Sequence, residues 1–158
     1  MTLFQTTNLA KSGVTPDSDL AAVALGRANI FELSQAAEHA VLRPQDCGAF
    51  DHDLRAALAA RVARQAGEDA LADHYAAGAG DSLGISDPDQ TVTNLAHIVT
   101  FVDKVANRTR DIAADDISGL QAAGVSDADI VRLCELVAFL AYQIRVIAGL
   151  RLMQGTPE

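Results

Sequence analysis

Along most of the chain apolar residues recur three and four positions apart, and the intervals between those runs are filled with Gly, Pro, Asp and Ser. That period places the apolar side chains on one face of a helix. Leu20, Val23 and Ala24 lead into Ile30, Leu33, Ala37 and Val41, which predicts helix over 20–42. Gly26 and Asn29 allow a break within it, and Pro44 ends it. Asp51 is a suitable N-cap for a helix over 53–66 with Leu54, Leu58 and Val62 on one face, stopped by Gly67. A short helix over 68–77 follows, then a Gly-rich loop. Asp87 and Pro88 read as cap and first residue of a helix over 88–107, carrying Val92, Leu95, Val99, Val102 and Ala106. Another short helix over 115–123 is closed by Gly124. Residues 1–19 have no period, and the expectation is an irregular N-terminal arm ahead of a single helical domain over 20–154.

The final run, 127–153, is different. Ser126 and Asp129 have capping-box spacing, and Asp127 and Asp129 suit the positive end of a helix dipole. Ile130, Leu133, Val137, Leu140, Ile144 and Ile147 trace one face, and Val131, Cys134, Ala138, Ala141, Ala148 and Met153 cover much of the rest. A helix apolar nearly all round is expected to lie among others. Its uninterrupted apolar run, Leu136 to Tyr142, falls far short of the roughly 20 residues a bilayer requires, so a core helix is expected and no membrane association. Glu135, Gln143 and Arg145 interrupt it. Arg145 must be paired, solvated or placed between subunits, because an unpartnered buried charge is costly.

Composition narrows the reading. Of 158 residues, 49% are hydrophobic but only 4% aromatic, and β-branched runs are scarce, so an all-α chain packed through small side chains is expected. A net charge of −9 with no basic stripe argues against nucleic-acid binding. Cys47 and Cys134 form no CxxC and no disulfide framework, and the N-terminus lacks an export signal, so a cytoplasmic location is expected. His39, His52, His74 and His97 stand apart at spacings that build no metal site, and neither a phosphate-binding glycine loop nor a GxSxG nucleophile motif is present. No metal or other cofactor is expected.

Two blocks carry a resemblance: DHDLRAALAARVARQAGEDALADHY at 51–75, and DISGLQAAGVSDADIVRLCELVAFLAYQIRVIAGLRL at 116–152. Together they resemble the carboxymuconolactone decarboxylase / AhpD-like alkylhydroperoxidase family, with Gly124, Ile130, Phe139 and Arg145 in matching places. The resemblance implies an AhpD-like multi-helix bundle that assembles as a homo-oligomer (dimer, trimer or hexamer), beside a peroxidase-like companion protein. The family's motif is a Glu, then CxxC, then a His one turn on. Here Glu68 and Leu71 occupy the two cysteine positions, the Glu falls near Arg55 or Ala56, and His74 alone is retained. A carboxylate has no sulfenate and disulfide cycle, so thiol peroxidase activity is not expected, and no catalytic residue can be carried over. Three functions follow as expectations. One is a peroxidase-related small-molecule-binding or companion protein, with His74 and Arg145 as candidate ligand contacts. A second is a cofactor-free decarboxylase or lyase acting on a small carboxylic acid through a His and an Arg. The third is a structural partner subunit of a peroxidase-like chain.

Overall fold

A computed structural model describes residues 2–155. Among these residues the fold is all-helical: α1 Thr7–Ser12, α2 Ala21–Gly26, α3 Ala28–Leu42, α4 His52–Gln65, α5 Asp69–Ala76, α6 Ala96–Asn107, α7 Ala114–Ala122 and α8 Asp127–Met153, with short 3-10 turns at Leu3–Gln5, Gly80–Ser86 and Thr109–Asp111. The expected break after Gly26 is present.

Local chemistry explains the helix starts. Asp51 Oδ1 accepts from the Leu54 amide at 2.8 Å and begins α4. Ser126 Oγ accepts from the Asp129 amide at 3.2 Å and begins α8, but the Asp129 carboxylate returns to the Ser126 hydroxyl at 2.6 Å, not to the backbone amide of a full capping box. One start is corrected. Residues 88–95 are not helical, and α6 begins at Ala96. The buried guanidinium of Arg61 donates to the carbonyls of Ile85, Asp87 and Pro88, and it grips Asp103 of α6 through both carboxylate oxygens. Carbonyls engaged by Arg61 are drawn away from the first turn of a helix at Pro88.

α8 is the spine. Leu133, Leu136, Val137, Leu140 and Ile147 are buried against Leu54, Leu58, Val62, Leu71, Ile98, Val99, Phe101 and Val102, in one cluster joining α4, α5, α6 and α8. By length and composition α8 is apolar enough to cross a membrane, a property that counting only its seven-residue run overlooks; 39% of its most apolar window is buried here. A second cluster forms where the sequence suggested an irregular arm. Leu9 and Val14 pack with Ala24 and Phe31, against Val146 and Leu150 of α8. Arg151 and Gln154 donate to the carbonyls of Lys11 and Ser12 at 3.0 and 2.9 Å.

The α3–α4 loop is fixed from beneath. Arg55, itself buried, donates to the carbonyls of Val41, Cys47 and Phe50 at 2.8, 2.9 and 2.8 Å. At Gly48, φ is +57°, and a Cβ would lie 2.3 Å from Asp129 Oδ1, so only glycine fits there.

Candidate functional site

α3 buries an unexpected face. Ile30, Leu33 and Ala37 are exposed, and the stripe turned inward is Phe31, Ser34, Gln35, Glu38 and Leu42. The Glu38 carboxylate, 4% exposed, lies beside a cavity of about 420 Å³ walled by α1, α3 and α5. Thr7 Oγ1 and Gln35 Nε2 lie 2.9 and 3.0 Å from Glu38 Oε1, and Gln143 Nε2 donates to Oε2 at 2.7 Å. His74 Nε2 stands 3.8 Å from Oε1. Burial pushes the Glu38 pKa up, but the nearby His74 imidazole and the hydrogen bonds from Gln143, Thr7 and Gln35 outweigh it and hold the pKa below the ordinary value. Glu38 is therefore a buried, fully solvated-by-protein anion.

The donors are themselves locked. The Tyr75 hydroxyl, also buried, donates to Gln143 Oε1. Burial first, and then the charge of Glu38, push its pKa up, so it remains a donor. That bond fixes which end of the Gln143 amide faces Glu38. The Thr7 amide donates to Gln35 Oε1 at 2.8 Å, which fixes Gln35 in the same way.

The rim is basic. His39 and Arg43 line the cavity with His74, and neither makes a side-chain hydrogen bond or ion pair within the described residues. Arg43 rests over Gly78, where a Cβ would come within 3.3 Å of its guanidinium. In a chain of net charge −9, the one formal positive charge of Arg43 stands across this pocket from the one buried carboxylate, with two histidines beside them.

His74 is thus a pocket residue, partly exposed. Arg145 is not: it lies at the rim of a separate groove of about 150 Å³ between α4, α6 and α8, and its Nη1 donates to the Ala141 carbonyl at 3.0 Å. The structure does not unite the two candidate ligand contacts. Glu68 is buried and accepts from Arg151 at 2.7 Å, while Leu71 is in the core, so neither lines the cavity. The carboxylate beside His74 comes from α3 in place of α4, where Arg55 is a loop clamp.

The cysteines stay apart from this site. Cys47 contacts the Pro44 carbonyl at 3.8 Å, and burial, with Glu135 adding to it, pushes the Cys134 thiol up. Both are free thiols, and neither lines the cavity. Among the described residues no group of three or more His, Cys, Asp or Glu side chains is placed to hold a metal ion.

Sequence reading overlooked Glu38, Gln35, Thr7 and Arg43. The available signal was a polar stripe at 34, 35 and 38 bounded by Phe31 and Leu42 at helical spacing. Its apolar neighbour one position over was the more conspicuous. No family model, curated protein or solved structure matches this chain.

Proposed function

We propose that the α1–α3–α5 cavity carries out cofactor-free acid–base chemistry on a small carboxylic acid, of the decarboxylase or lyase kind, on a scaffold of the AhpD-like type working in the cytoplasm. The observation that carries this is the convergence of His74, Arg43 and His39 around an ionised, immobilised Glu38. Arg43 offers a guanidinium fork to a substrate carboxylate. His74 moves the proton, accepting it from, or returning it to, the atom whose bond is being made or broken. Glu38 orients the ring and stabilises the positive charge that develops on it, as a carboxylate does for histidine elsewhere in acid–base catalysis. Hydroperoxide reduction is not part of this reading, because no thiol lines the cavity.

The test is a panel of short-chain and aromatic lactone acids and 3-oxo acids, followed by NMR for turnover and by calorimetry for binding. His74→Ala and Glu38→Gln are expected to lower kcat by about 100-fold or more. Arg43→Ala is expected to raise KM with a smaller effect on kcat. If no acid binds tighter than millimolar, and the histidine variants bind the panel as the parent does, the reading fails.

A second reading, a companion or structural partner, draws support from the exposed apolar side chains Val23, Leu25, Ile30 and Leu33 on α2 and α3.

A further inference from the structure

Seven residues of α8 form the stripe that the bundle leaves uncovered: Val131, Glu135, Ala138, Tyr142, Arg145, Gly149 and Leu152. Gly149 is half-buried and the other six are exposed, with Val131 at 55%, Tyr142 at 40% and Leu152 at 61%. Their spacing alternates four and three without a fault. At 3.6 residues per turn that keeps all seven within one narrow face, running roughly 30 Å along the helix. This alternation is the pattern of a helix packed lengthwise on another helix; α3 borders the stripe, with Ser34 Oγ 2.7 Å from the Tyr142 hydroxyl, and among the described residues no helix covers the rest of it.

The stripe is complementary to itself. Position 140 is the midpoint of α8, and reversing the helix about that point pairs each stripe residue with a different one. Glu135 meets Arg145. Ala138, small, meets Tyr142, large. Val131 meets Gly149, and Leu152 meets Ala128. Neither Glu135 nor Arg145 has an ion-pair partner within the described residues. Parallel packing would place Glu135 on Glu135 and Arg145 on Arg145, and is disfavoured by like charge. A two-fold axis crossing α8 near Leu140 satisfies both charges twice, as an isologous contact requires. The apolar groove formed by Val62, Ala66, Ala106, Val137, Ala141 and Ile144 runs beside Arg145 and gives the second copy a bed for its side chains.

We propose that the protein dimerises through antiparallel packing of α8 on α8, with Glu135 of each copy paired to Arg145 of the other. The occupant of the stripe is a second copy of this chain. The inference is independent of the chemistry of the cavity. It selects assemblies containing a two-fold axis, a dimer or a trimer of dimers, and excludes a simple trimer.

Sedimentation equilibrium of the full chain, across concentration and at low salt, tests it with two charge reversals and their combination. The parent is expected to be dimeric at micromolar concentration. Glu135→Arg alone and Arg145→Glu alone each set like charges face to face, and each is expected to weaken association by about tenfold or more. The double variant restores the opposite-charge pairing and is expected to recover dimerisation. Both positions are exposed, and circular dichroism of each variant checks that the fold persists. A monomeric parent, a simple trimer, or single reversals that associate as the parent does would each overturn the proposal. So would a double variant no better than the singles. Flotation of a monomeric parent with lipid vesicles would assign the stripe to a membrane surface instead, and would overturn it as well.

Discussion

α3 and α6 are both packed on α8, and they treat their apolar residues in opposite ways. α6 buries Val99 and Val102, which its periodicity nominates, together with Ile98 and Phe101. α3 leaves Ile30 and Leu33 in solvent and buries Ser34, Gln35 and Glu38. A helix that hides a polar stripe must satisfy each group in it, since an unpaired buried polar atom costs about 1–3 kcal/mol. Thr7 of α1 and Tyr142 and Gln143 of α8 meet that demand, and His74 of α5 stands 3.8 Å from Glu38. The comparison teaches that α6 is ordered by burial of apolar surface, whereas α3 is rotated by a hydrogen-bonded network that also makes a pocket.

The contrast can be broken most severely on the α6 side. Phe101→Ala opens a cavity in the principal core and should cost about 3–5 kcal/mol, read from denaturant unfolding with unchanged slope. On α3 the informative change is Glu38→Gln. It places an amide NH₂ against donors that need an acceptor, and should cost about 1–3 kcal/mol at neutral pH. Its pH dependence sharpens the point. The folded-state pKa of Glu38 lies below the ordinary value of 4.5. The anion therefore contributes stability that is present above the unfolded value and lost as pH falls through the folded one. Glu38→Gln should remove that part of the acid limb, so the two stability curves converge as the pH drops. Parallel curves would mean that Glu38 is not the anion described. The smallest effect belongs to the outer side of α3. Leu33, 65% exposed, lies away from the core, and Leu33→Ser should change stability by no more than about 0.5 kcal/mol. A large loss there would show that the helix is rotated toward its apolar face.

Where apolar period, cap and stop agreed, the elements were readable from sequence: α8 begins and ends where the pattern places it, and Asp51 caps α4. The helical class followed from composition. Reading failed where polar side chains set the structure over distance. Pro88 looks like a helix start until Arg61, 27 residues earlier, is seen taking its carbonyl. α1 has the composition of a loop because Thr7, Asn8 and Ser12 are polar, yet all three are buried. His74 was visible as an isolated histidine, but its partner lies 36 positions back on a different helix, and no local spacing encodes that pairing. Arg145 was rightly marked as anomalous on an apolar helix, though it lies outside the cavity. The AhpD-like likeness remains a proposal resting on the two sequence blocks.

Thr7 and Gln143 both touch Glu38, and 136 positions of chain separate them. During synthesis the glutamate is made early and then waits, a bare carboxylate on a nascent helix, until the last long helix has cleared the ribosome. A chain interrupted before α8 would accordingly hold every residue of the rim yet leave Glu38 Oε2 without its donor from Gln143.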